Sequence, residues 1–175
     1  MSVHLLETAT RVLLADPSAS LGDVAKAAGI GRTTLHKRYP TRQDLVVALA
    51  NSALDVVDQA IDGIDLTAPT HEVLDRLVTT LVPMGPRLEF LLRFPGLEQD
   101  PRVAARLARM DQPLLEFVKT GQDHGRLRAD LPTWWVLDTL YAVVYSAWES
   151  IAAGRLAPLD APKLVLTTVL KGVQA

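Results

Sequence analysis

A chain of 175 residues, 49% hydrophobic and 22% charged, is long enough for one or two small domains with a sizeable core. It holds no cysteine, which excludes disulfides, thiolate metal sites and cysteine nucleophiles. The long apolar stretches carry charges such as Asp138 and Glu149, which excludes a membrane span. The net charge of −2 hides an asymmetry: Lys26, Arg32, Lys37, Arg38 and Arg42 follow one another with no Asp or Glu between, so that stretch is +5 and the remainder −7.

Nearly every segment reads as helix, with no alternating strand pattern and no Asn-Gly hairpin signal. Leu5, Leu6, Ala9, Val12 and Leu13 recur at helical spacing and predict a first helix over 3–15, ended by Asp16-Pro17-Ser18. Ser20, with Asp23 three residues on, predicts a capping box at the start of a second helix. Gly29 stops that helix, because a tight turn needs a residue tolerant of positive φ. A short third helix is predicted over 32–38, since Pro40 forbids its continuation. Thr41, again with an acid three residues on at Asp44, caps a long fourth helix reaching Asp62. Thr70 caps the next, to about Val82. Pro83, Gly85, Pro86 and Pro95 bracket a short apolar helix over 88–93. Asp100-Pro101 starts a helix that runs to 122–124, before Gly125, and Pro113 inside it predicts a kink. The last two helices are predicted over 133–153 and 161–173.

The second and third helices have the composition of a helix-turn-helix. Ala25 is the small residue that lets the partner helix approach, Gly29 makes the turn, and Val24, Ala28, Ile30 and Leu35 supply the apolar contact beneath. The third helix then exposes donors, which suits a recognition helix in a major groove. A basic patch on an acidic body fits a negatively charged partner, or else is a solvated charged face.

The stretch from Ser20 to Leu45, with its Ala28-Gly29-Ile30-Gly31 turn, Leu35, the His36-to-Pro40 segment and Thr41-Arg42-Gln43-Asp44-Leu45, resembles the TetR family of bacterial regulators. The resemblance covers about residues 5–50; beyond it, Gly125 to Leu131 is similar to the family's link before its last two helices. It implies an all-α fold. A three-helix helix-turn-helix DNA-binding head at 1–46 is joined by the long fourth helix, without a flexible linker, to a helical ligand-binding and dimerisation domain at 47–175. Three positions depart from the family pattern: Gly31 replaces a capping serine, His36 a phosphate-contacting tyrosine, and Arg42 a lysine.

Roles follow from chemistry. Lys37, Arg38 and Arg42 are expected to neutralise phosphates and set orientation. Thr41 and the start of the fourth helix add backbone donors for another phosphate. Arg32, Thr33 and His36 are expected to read base edges, and Thr34 suits either task.

In the remainder, the helix over 133–153 has two apolar faces and so needs two partners. Trp134, Leu137, Tyr141, Tyr145 and Trp148 lie on one face; Val136, Leu140, Val143, Ala147 and Ile151 lie on the other. With Leu166 and Leu170 of the last helix, Val136, Leu140, Val143 and Ala147 are the expected dimer interface, as the resemblance implies. One short recognition helix reads too little sequence alone, so a twofold dimer is expected. Phe90, Phe94, Met110, Phe117, Trp134, Tyr141, Tyr145 and Trp148 are candidates to line an apolar ligand pocket, or else to fill a core.

No catalytic pattern emerges. His4, His36, His71 and His124 lack metal-ligand spacing, and there is no HExxH, GxSxG or phosphate-cradling glycine loop. The expectation is therefore a non-enzyme without cofactor or metal. Its partners are operator DNA, a second copy of itself and an unidentified small apolar or aromatic effector, with no membrane. No charged leader opens the sequence, so the cytoplasm is the expected compartment. The competing readings are a ligand-independent DNA-binding regulator and a small-molecule carrier or enzyme.

Overall fold

The structure is a computed structural model that describes residues 2–94 and 96–174; Pro95, one of the bracketing prolines, lies outside them. The helices are α1 (Ser2–Ala15), α2 (Leu21–Ala27), α3 (Arg32–Arg38), α4 (Arg42–Asp62), α5 (Thr70–Leu81), α6 (Gly85–Arg93), α7 (Pro101–Asp123), α8 (Thr133–Ala152) and α9 (Ala161–Val173). Single 3-10 turns at Val82–Met84 and Leu97–Gln99 flank α6. Among the described residues there is no strand, and no helix is long and apolar enough to cross a membrane.

Local chemistry sets most boundaries. At α2 the capping box is complete: the Ser20 amide donates to Asp23 Oδ2 at 2.9 Å, and the Asp23 amide to Ser20 Oγ at 3.2 Å. The other end is a Schellman turn, with Gly29 at φ 65°, its amide on the Lys26 carbonyl and the Ile30 amide on the Ala25 carbonyl. The cap of α5 lies one position before the predicted threonine: Pro69 is the half-helical residue, its carbonyl accepting from Glu72 and Val73, and Thr70 already lies inside. α6 starts three residues before its predicted start, because a proline is tolerated in a first turn. α7 passes through Pro113, which withholds one backbone donor without ending the helix.

The chain packs as two compact units. The first comprises residues 1–56 with 89–106, the second 57–88 with 107–175. The chain crosses between them inside α4, α6 and α7. The head thus takes in a later segment, 89–106, that the division at 46 assigns to the other domain. Physics explains its place: Phe90, Phe94, Leu97 and Val103 are buried, and Arg106 donates to the Asn51 carbonyl and pairs with Asp55 at 2.7 Å. The core of the second unit combines Leu74, Leu77 and Leu81 of α5, Leu114 and Val118 of α7, Val136, Leu140 and Val144 of α8, and Val165 and Val169 of α9. In that unit Gly85 is fixed by close approach: a Cβ there would stand 1.5 Å from Cδ1 of the Trp148 indole.

Candidate functional site

α2 and α3 pack against one another. Val24, Ala25 and Leu35 are buried, while Ala28 and Ile30 are half-buried. Leu35 is the one fully interior residue of α3. Arg32, Thr33, Thr34, Lys37 and Arg38 are exposed and His36 is half-buried. The helix therefore presents an outward row of cations and hydroxyls on a backbone pinned from beneath. Gly31 caps it without a side chain, so the first amides of α3 are left open. Arg38 lies over the Tyr39 ring, 5.5 Å from its centroid, and Tyr39 is buried.

The start of α4 is fastened twice. Thr41 and Asp44 form a second capping box, with the Thr41 amide and the Asp44 amide each making a 3.1 Å bond to the other's side chain. The Thr41 hydroxyl and amide, with Arg102 behind, hold the Asp44 carboxyl below the usual carboxylate range. Arg42, expected at a phosphate, is engaged within its own unit. Its Nε donates to the Ala19 carbonyl at 3.0 Å, its Nη2 donates to the Pro17 carbonyl, and its guanidinium stacks 5.5 Å above the Phe94 ring. Arg42 therefore ties the connection before α2 to the start of α4. Gln43 reaches Asp100 at 3.1 Å, and Arg102 bridges Asp100 at 2.8 Å and Asp44 at 3.4 Å.

The eight ligand candidates divide between the units. Phe90 and Phe94 stack at 5.0 Å inside the head, where they are core. In the second unit Phe117 is buried, beside a cavity of only ≈ 10 Å³, room for about one water. Met110 packs half-buried against the same core. Trp134 is 55% exposed, edge-on to an equally exposed Trp135, so it belongs to the surface. Tyr145 and Trp148 pair at 5.9 Å, and the Tyr145 hydroxyl donates to Glu149. The Tyr141 hydroxyl donates to Asp111 Oδ1 at 2.8 Å. Burial raises the Asp111 carboxyl, the Tyr141 hydroxyl lowers it in part, and the charges of Asp138 and Asp58 raise it further. The Tyr141 phenol is likewise pushed up, by burial and then by Asp111.

Of the interface candidates, Val136, Leu140 and Ala147 are buried by their own chain and belong to its core. The second apolar face of α8 is therefore covered within the chain, chiefly by α9. Val143, Leu166 and Leu170 are half-buried at the edge of that core. The face of α8 left open carries Trp135, Ala142 and Ser146, and that of α9 carries Leu164 and Thr168.

No protein-family model matches this sequence. Individual relatives do. The HTH-type transcriptional repressor LfrR of Mycolicibacterium smegmatis is 32% identical over 172 residues, covering 97% of this chain and 88% of that protein. The crystal structure of LfrR, described as a TetR-like transcriptional regulator in complex with proflavine, superposes with a TM-score of 0.78 at 29% identity, over 99% of this chain and 96% of that one. The chain belongs to the TetR family of transcriptional regulators. The HTH-type transcriptional regulator NfxB of Pseudomonas aeruginosa is 29% identical over 157 residues, 88% of this chain and 84% of that one. The all-α head-and-domain architecture expected of the sequence is that of the family, and the protein is a DNA-binding regulator and not an enzyme.

Sequence reasoning about this regulator missed Asp111, Asp100 and Arg102. Asp111 stands on α7 among Met110 and Leu114, and an acid flanked by apolar residues on a helix is the one signal that points to it. Asp100 is the cap that the sequence predicts: its Oδ1 accepts from the Arg102 amide at 3.0 Å. Its second task, holding Gln43, left no trace in local sequence.

Proposed function

We propose that this regulator is a dimeric repressor that binds a twofold-symmetric operator in the cytoplasm and is released by a flat aromatic effector. The observation that carries the reading is α3, whose exposed Arg32, Thr33, Thr34 and Lys37 stand on a helix held by one buried leucine. Arg32 and Thr33, at its N-terminal end, suit base edges in the major groove, with His36 on the next turn; arginine prefers guanine and the threonine methyl suits thymine. Lys37 and Arg38 suit phosphates, as does the start of α4 at Thr41.

A second copy provides the second half-site. The open face of α8 has small residues at Ala142 and Ser146, one helical turn apart, and α9 adds Leu164, 54% exposed. Small residues let two helices approach closely, and an exposed leucine gains by being covered. The effector site is proposed on the face of α8 that carries Tyr141, Tyr145 and Trp148, with Asp111 and Met110 of α7 opposite Tyr141. The similarity to a repressor crystallised with proflavine supports a flat aromatic amine. A half-buried, proton-hungry carboxylate such as Asp111 favours a ligand that brings positive charge. The effector need only bind the DNA-incompetent arrangement a few kcal/mol better to release most of the operator.

The test is a mobility shift on duplex DNA flanking the protein's own gene, with proflavine titrated in, paired with sedimentation. Saturable binding by a dimer, reversed by proflavine, is expected. A protein monomeric at micromolar concentration, or one bound to all duplexes equally, refutes the operator reading. Binding that no proflavine concentration reverses refutes the effector.

A further inference from the structure

Away from the aromatic face, the second unit carries an open cleft of ≈ 450 Å³ where the start of α5, the connection between α7 and α8, and the end of α9 come together. That volume is in the range of small-molecule sites. Its apolar lining residues are Pro69, Leu127 and Leu170. Its walls carry Arg126, His71 and Gln174 together with the Thr67 and Thr70 hydroxyls, and among the described residues no Asp or Glu lines it.

Arg126 stands apart from its neighbour. The Arg128 guanidinium, two residues on, is closed by Asp130 at 2.6 Å and reaches the Gly172 carbonyl. Among the described residues the Arg126 guanidinium has no hydrogen bond or ion pair, and neither has the His71 ring. The walls are set firmly: Leu127 is buried and bridges to Gln174 through the backbone, and the Arg128 amide donates to the Val173 carbonyl at 2.7 Å. A permanent cation beside apolar lining residues, with no Asp or Glu among the described residues of the lining, selects an amphipathic anion.

We propose that this cleft binds a small organic acid, its carboxylate on Arg126 and His71 and its hydrocarbon against Leu127 and Leu170. The planar guanidinium matches a carboxylate fork for fork. Residues 67–71 and 170–174 would be clamped together by such a ligand, which makes it a stabiliser of the second unit.

Isothermal titration of the whole protein with benzoate, benzyl alcohol and inorganic phosphate tests this. Benzoate is expected to bind saturably. Benzyl alcohol lacks the charge and phosphate lacks the apolar body, so each should bind about tenfold or more weakly by comparison. Arg126→Gln should weaken benzoate by about tenfold while leaving the melting temperature of the free protein unchanged, since Arg126 is exposed and, among the described residues, has no hydrogen bond or ion pair. His71→Gln provides an independent variant with a smaller loss. No saturable benzoate binding up to about 10 mM, equal binding of benzyl alcohol or of phosphate, or unchanged benzoate affinity in both variants each overturns the assignment.

Discussion

Removing the Arg42 guanidinium separates two roles that a basic residue beside a recognition helix can have. In Arg42→Ala the carbonyls of Ala19 and Pro17 each lose a donor and the Phe94 ring loses its cation. A hydrogen bond from a charged donor contributes about 1.5–3 kcal/mol, less where solvent reaches it, as at Pro17. A partly exposed cation–π contact contributes about 0.5–1 kcal/mol. These contacts share one side chain and are not additive, so a total loss of about 2–3 kcal/mol is expected. For a chain of this length that lowers the melting temperature by roughly 4–12 °C. The assay is thermal unfolding by circular dichroism alongside the salt dependence of DNA binding. A residue that neutralises no phosphate leaves the slope of log affinity against log salt unchanged, whereas a phosphate contact reduces it by about one unit. Arg42→Ala should therefore melt early, bind weakly and keep its salt slope. An unshifted melt with a slope reduced by one would refute the reasoning and return Arg42 to the DNA surface.

Lys37→Ala should do the reverse, lowering the salt slope by about one unit and weakening specific and random duplexes alike; Thr33→Ala should instead change the preferred base pair at one position by about 1–3 kcal/mol, read by competition between operator variants. Gly85→Ala would place a methyl inside the Trp148 indole, so about 1–3 kcal/mol of overpacking is expected, along with a shifted tryptophan emission; the same change in a Trp148→Ala background should cost little, and equal costs in both backgrounds would dismiss the contact. Asp111→Asn should raise the melting temperature at neutral pH. The folded chain raises this carboxyl's pKa, so its contribution to stability is complete below the unfolded value and is lost as pH rises through the folded one. The gain should therefore vanish near pH 4 (about the unperturbed carboxyl value), and a gain independent of pH would exclude titration as its cause.

What could be read from the sequence was what neighbours along the chain decide. α3 has its expected bounds because Gly31 and Pro40 are local signals, and the boxes at Ser20 and Thr41 each need an acid only three residues away. Arg42 was legible as a cation and illegible as a staple, since Pro17 and Phe94 lie 25 and 52 positions from it. Which unit the segment 89–106 packs in was illegible for the same reason: Phe90 and Phe94 read as aromatic in either unit. On α8, periodicity revealed two apolar faces and could not say that the one bearing Val136, Leu140 and Ala147 is covered by the chain itself. Asp111 needs Tyr141, 30 residues on, before its burial has meaning.

Leu35 gives the recognition element a freedom that the rest of the head lacks. Because it is the one side chain of α3 in the interior, the exposed Arg32, Thr33, Thr34 and Lys37 can be rewritten without disturbing a packed contact. Operator preference can thus drift during evolution while the scaffold and its control elements stay fixed. A designer can graft the outward residues of another regulator's third helix onto this head and expect a folded protein that reads a different sequence.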